Sequence, residues 1–199
     1  MKVTIYLEGG GDAKALRILC REGFRKLFER CGFRGRMPHL VAYGGRERAF
    51  DDFRTAHRKG NAQNIALMLI DSEDPMDDIN ATWSHLEKRD QWKKPDDADD
   101  EQVLMMTTCM ETWIVADRQS LRSFFGRELQ ESALPPVADL ESRSRKEVQA
   151  KLVTATQRCS NKYSKGKTSF RVLAELAPDV LSAHLPSFLR TRRILDETL

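Results

Sequence analysis

The sequence predicts an α/β fold: a parallel sheet with helices on both faces, followed by a small helical C-terminal part. Three observations carry this reading. Short apolar segments alternate with helix-period segments through the first 117 residues, the pattern of strand–helix–strand units. Asn64 to Ile70 is a continuous apolar run, as a strand covered on both faces of a parallel sheet requires. Beyond about residue 118 the strand signal stops and only helical spacing remains.

Lys2 to Leu7 is rich in β-formers and runs into Glu8-Gly9-Gly10-Gly11-Asp12, a sharp turn signal. From Ala13 to Cys31, Leu16, Leu19, Cys20, Phe24, Leu27 and Cys31 recur at three and four, which predicts one long amphipathic helix with Asp12 as its N-cap. Its other face carries a basic stripe of Lys14, Arg17, Arg21 and Arg25, the usual dress of a solvated surface. Pro38 to Tyr43 is a second strand, closed by Gly44-Gly45, and Arg46 to Lys59 a second helix. The third strand breaks at Asp71-Ser72-Glu73-Asp74-Pro75, where Asp74 before proline suits an N-cap for a helix from about Met76 to Asp90. A polar linker from Gln91 to Gln102 follows, then a fourth strand at Val103 to Cys109 and a helix from Glu111 to Asp117. Lys146 to Cys159, Ser169 to Leu176, Pro178 to Leu185 and Ser187 to Leu195 read as helices. Pro135-Pro136 marks the expected break, giving a sheet domain over 1–134 and a helical subdomain over 135–199 packed on it.

A chain of 199 residues can bury one good core, and 40% hydrophobic with 32% charged residues is ordinary for a water-soluble protein. No apolar run approaches the roughly 20 residues of a membrane helix, and Val3 to Leu7 is too short for a signal-peptide core, so a cytoplasmic location is expected. Cys20, Cys31, Cys109 and Cys159 show no metal or redox spacing and sit in apolar-periodic segments; buried free thiols are expected. Charge is unevenly spread. Residues 1–60 carry 14 basic and 7 acidic side chains, 61–117 carry 4 and 14, and 118–199 carry 15 and 9. An acidic middle between basic flanks suits a metal site bordered by phosphate-binding surface, although Asp96 to Glu101 reads simply as a solvated loop.

Ligands of open α/β sheets bind where strands end and loops begin. Glu8 follows strand one and Asp71 follows strand three; Glu73 and Asp74 share the Asp71 turn, and Glu111 lies just after strand four. Parallel strands would bring all five to one rim, where the carboxylates repel and are costly to desolvate. A hard cation, Mg²⁺ or Mn²⁺, resolves that conflict through oxygen ligation. Arg46 should reach the same rim after strand two, to hold a phosphate or pair with Glu8. Lys162, Lys165 and Lys167 offer a basic, glycine-containing loop that could grip a phosphate backbone or be solvated surface.

Two tempting motifs fail. A dinucleotide-binding Gly-x-Gly-x-x-Gly would need glycine where Lys14 stands, and a P-loop ending in Gly166-Lys167-Thr168 would need one where Asn161 stands. Trp113 reads as a core anchor, and His39, His57, His85 and His184 show no metal spacing.

An apolar strand ending in Glu-Gly, a helix, and a later apolar strand ending in Asp-x-Asp resemble the Toprim domains of topoisomerases, bacterial primases and nucleases of the overcoming-lysogenization-defect type. More closely, the stretch from Leu7 to Leu16, Tyr43-Gly44-Gly45-Arg46, Leu69 to Asp74 and Cys109 to Asp117 resemble the bacterial domain-of-unknown-function family numbered 4276, regarded as Toprim-related and often encoded beside ATPases. The resemblance spans Val3 to about Phe170. It implies Glu8 as metal ligand or general acid/base and Asp71 as principal metal ligand. The Toprim pair appears here as Asp71-x-Glu73 with Asp74 beside it, leaving open which of the two completes the site. The activity so implied is metal-dependent phosphoryl transfer on nucleic acid, as a nuclease acting on DNA, in a defence or repair setting with an ATPase partner. The alternative is a Toprim-like binding or regulatory subunit that cleaves nothing. A topoisomerase would need a nucleophilic tyrosine, and Tyr6, Tyr43 and Tyr163 lack supporting architecture.

Overall fold

The computed structural model describes residues 2–42, 44–60 and 63–199. Among them, four parallel strands form one sheet in the order β2-β1-β3-β4, with β1 Lys2–Leu7, β2 His39–Ala42, β3 Asn64–Asp71 and β4 Val103–Met106. Tyr43, expected to end the second strand and quoted in the family resemblance, lies outside the described residues.

Alternation along the strands sorts side chains onto two faces. Val3, Ile5, Leu7, Leu67, Leu69, Leu104 and Met106 enter one apolar cluster with Cys20, Phe24 and Leu27 of helix α1 (Lys14–Phe28). Ala66, Met68, Ile70, Val103 and Met105 enter a second, with Phe50 and Phe53 of α2 (Arg46–Lys59) and Trp83 and Leu86 of α3 (Thr82–Asp90). The continuous apolar run of β3 is therefore explained: both of its faces are covered. With α1 on one face and α2 and α3 on the other, the chain reverses direction between β1 and β3. That junction is the topological switch point at which open α/β sheets bind ligands.

The remaining helices all add to the α1 face. They are α4 (Met110–Ala116), α5 (Arg118–Phe125), α6 (Arg145–Thr156), α7 (Lys167–Leu173), α8 (Pro178–His184) and α9 (Pro186–Thr198). Trp113 is fully buried and meets Phe188 edge-on, the core anchor expected of it. All four cysteines are buried free thiols, and burial pushes Cys20 up to about 12, far from thiolate chemistry.

Several local expectations are corrected. Asp12 does not cap α1; Ala13 holds the N-cap position without a side-chain hydrogen bond. The helix ends at Phe28 and passes into a wider turn, Glu29–Phe33, broken by Gly32 at φ 95°. Asp74 caps nothing either: its carboxylate pairs with Arg89 at 3.0 Å. The third helix begins only at Thr82. Asp78 accepts from the Asn80 amide and holds the preceding segment in a turn, while the Trp83 amide is satisfied by Asp100 at 2.8 Å. Asp100 thus caps α3 from a distant part of the chain, and Asp99 forms a capping box with Gln102. The acidic run is therefore partly structural rather than simply a solvated loop. β4 stops at Met106 rather than Cys109, and α5 was not anticipated.

Candidate metal centre

β1 and β3 run side by side, with Leu7 opposite Leu69, so their carboxyl ends deliver Glu8 and Asp71 to one rim. Leaving the strand, Glu8 is held by its own neighbours. Its amide donates to the Leu69 carbonyl at 2.9 Å, and its Oε2 accepts from the Asp71 amide at 3.1 Å. The glycines that follow have a steric reason. Gly10 has φ 85°, and a Cβ there would lie 2.7 Å from the Arg17 backbone, so the turn can press against α1 only without a side chain. The Gly9 amide donates to the Gly44 carbonyl at 2.9 Å, tying the β1 turn to the β2 turn.

Asp71 is buried, with 6% of its surface exposed. Its Oδ1 accepts from the Met110 amide at 2.8 Å, which fixes the carboxylate against the start of α4. Two residues on, Glu73 adopts φ 69°, a left-handed conformation that a glutamate takes only at some cost. Its amide donates to the Thr108 carbonyl at 2.8 Å, and its carboxylate lies beside those of Glu8 and Asp71. One oxygen from each of Glu8, Asp71 and Glu73 lies within 4.8 Å of the others. Burial, then the charges of Glu8 and Glu111, push the Asp71 carboxyl well above the usual carboxylate range, while Arg145 and Lys165 pull it partly back.

Glu111 enters from α4 and is 1% exposed. The Tyr163 hydroxyl donates to its Oε1 and the Gln149 side-chain amide to its Oε2, at 3.1 Å for the latter. Burial and the Glu111 charge raise the Tyr163 phenol, so it stays a neutral donor rather than a nucleophile. Arg46 opens α2 beside this group, as its place after β2 implies. Its guanidinium lies 3.6 Å from Glu8, donates to the Asp71 carbonyl, and grips both Asp90 oxygens at 3.2 and 2.6 Å. The Trp92 ring, 5.0 Å away, covers one face.

A cleft of about 290 Å³ is lined by Glu8, the three glycines, Asp71, Glu111 and Lys165, with Glu73 and Arg46 outside its lining. Lys165 reaches it because α7 packs tightly on α1: a Cβ on Gly23 would stand 2.7 Å from the Phe170 carbonyl oxygen. Of the sequence-predicted residues, Glu8, Asp71 and Glu73 are thus gathered, with Glu111, Arg46 and Lys165 around them. Asp74 turns outward, its side chain 65% exposed on Arg89; Lys162 and Lys167 are exposed and do not line the cleft.

Sequence reasoning missed four contributors: Arg145, which contacts Glu73 from α6; Asp90, which clamps Arg46; and Tyr163 and Gln149, which hold Glu111. Nothing in their local spacing marks them, since each acts across a contact between distant segments.

The oxygen-only donor set, crowded and partly desolvated, fits a hard divalent cation. The family model described as Domain of unknown function (DUF4276) matches residues 7–195, and the chain belongs to that family. No curated protein and no solved structure matches it. No helix among the described residues is long and apolar enough to cross a membrane.

Proposed function

We propose that this DUF4276-family protein is a Mg²⁺- or Mn²⁺-dependent nuclease that hydrolyses phosphodiester bonds of nucleic acid, DNA in the first instance, on a Toprim-like arrangement of carboxylates. The observation that carries the reading is the convergence of Glu8, Asp71 and Glu73 oxygens within 4.8 Å at the switch point of a parallel sheet. Like charges held this closely are unfavourable by themselves; burial first, then the charges of Glu8 and Glu111, raise the Asp71 carboxyl. When bound, the metal ion would polarise the scissile phosphate and lower the pKa of an attacking water.

The chain's own residues have separable tasks. Asp71 and Glu8 are the ligands whose orientation is set in advance, one by the Met110 amide and the other by the Asp71 amide. Glu73 completes the set from its turn. Lys165, which lines the cleft, supplies the positive charge that a phosphate backbone needs beside the carboxylates. Arg46 restrains Glu8 and the Asp71 carbonyl, keeping the rim in register.

The test is cleavage of plasmid and single-stranded DNA in Mg²⁺, in Mn²⁺ and in EDTA, by wild type and Glu8→Gln. Metal-dependent cleavage that disappears in a folded Glu8→Gln variant is the expected result. Absence of cleavage by a wild type that binds Mn²⁺ would instead assign the fold to a non-cleaving binding subunit.

A further inference from the structure

Arg145 opens α6 and places its guanidinium directly on the Glu73 carboxylate, the third of the gathered acids. Arg89 approaches the same carboxylate at 3.8 Å. The two arginines nearest the triad differ in kind. Arg46 has its fork filled by Asp90 and the Asp71 carbonyl, is covered by Trp92, and leaves 12% of its side chain exposed. Arg145 has Glu73 as its ion-pair partner, with no other ion pair or hydrogen bond among the described residues, and 25% of its side chain is exposed. Arg46 is built in, whereas Arg145 is held by one contact at the water-facing margin.

We propose that Arg145 is an exchangeable counter-cation: it neutralises Glu73 in the metal-free protein, cedes that carboxylate to the divalent ion, and then takes a phosphate oxygen of the nucleic acid. This inference rests on the metal-dependent reading above. A guanidinium and a divalent cation cannot share one carboxylate group closely without repelling each other, so occupancy by one weakens the other. The freed guanidinium is planar, permanently charged and matched to phosphate oxygens, the one new chemistry that a substrate brings to this rim. Releasing it costs little, because a single ion pair near the surface contributes little to stability. The left-handed turn at Glu73 has a use in this scheme, since it holds the carboxylate where guanidinium and metal can both reach it.

The sign of one measurement separates this role from a structural one. Loss of a merely structural arginine weakens metal binding, whereas loss of a competitor strengthens it. Calorimetric Mn²⁺ titration of Arg145→Ala should show affinity raised about two- to fivefold over wild type, the worth of one partly exposed ion pair, with Arg145→Lys in between. Anisotropy of a labelled single-stranded DNA oligonucleotide, bound in Ca²⁺ at several salt concentrations, should give Arg145→Ala a slope of log affinity against log salt flatter by about 0.7, one phosphate contact. Thermal melts establish that each variant is folded. Unchanged or weaker Mn²⁺ affinity in folded Arg145→Ala overturns the exchange, and an unchanged salt slope overturns the phosphate contact. Failure of wild type to bind Mn²⁺, or a Glu73→Gln variant that binds it as wild type does, brings down the metal reading instead.

Discussion

Replacing Asp71 by Asn should make the metal-free protein more stable while removing its response to metal. The substitution keeps the shape and the Oδ1 that accepts the Met110 amide at 2.8 Å, so it deletes a charge and little else. That charge has Glu8 and Glu73 oxygens within 4.8 Å and Glu111 nearby. At an effective dielectric of about 20, one such ionised pair costs about 3 kcal/mol. Arg145 and Lys165 offset part of this, leaving a net gain of about 1–3 kcal/mol for the variant, or about 3–9 °C in Tm for a chain of this size. The pH dependence has a definite sign. The folded-state pKa of Asp71 is raised, so the wild type has this stability in full only below the ordinary carboxylate value and loses it as pH rises from there to the raised value, above which the loss is complete. The variant has no such proton to lose, and its advantage should widen as pH rises from the ordinary carboxylate value towards the raised one. Melts in EDTA across that range measure it. In Mn²⁺ at about 100 times its Kd, wild type should recover about 2.7 kcal/mol and the variant nothing. A variant that melts below wild type at neutral pH, or whose advantage does not change with pH, would refute the electrostatic account of the triad.

Two other substitutions test the surroundings of the triad. Glu111→Gln should weaken Mn²⁺ binding by about tenfold and reduce cleavage, since it removes a buried negative charge facing Asp71; unchanged affinity and cleavage would leave Glu111 a packing role with Tyr163 and Gln149. The triple Lys162→Ala, Lys165→Ala, Lys167→Ala variant would flatten the log-salt slope for duplex DNA by about 2.7 if all three touch phosphate. Only Lys165 lines the cleft, so a change of about 0.9 is expected, and an unchanged slope would return the whole loop to solvated surface.

Much of the sheet was legible because its signals are local. The apolar run ending in Asp71 and the β-rich segment ending in Glu8 state both the strands and the rim at which they stop. The second helix runs from Arg46 to Lys59 as expected, because the glycines before it and after it set its ends. Elements whose ends are set from afar were misplaced. The start of α3 depends on Asp100 accepting the Trp83 amide, and the position of Lys165 depends on Gly23 admitting Phe170. The choice between Glu73 and Asp74 was likewise not local: adjacent carboxylates diverge because Glu73 takes φ 69° while Asp74 is drawn out to Arg89. Arg145 was invisible for the same reason, since α6 must pack on α4 before its first residue meets Glu73.

On the proposed reading, Glu8, Asp71 and Glu73 hold one divalent cation. A crystal soaked in Mn²⁺ and measured at the manganese edge tests it most directly. An anomalous peak is expected at about 2.0–2.6 Å from an oxygen of each of the three, with the Arg145 guanidinium withdrawn from Glu73. A Mn²⁺-saturated crystal with no peak at this rim, or with its ion held elsewhere and Arg145 still on Glu73, would contradict it.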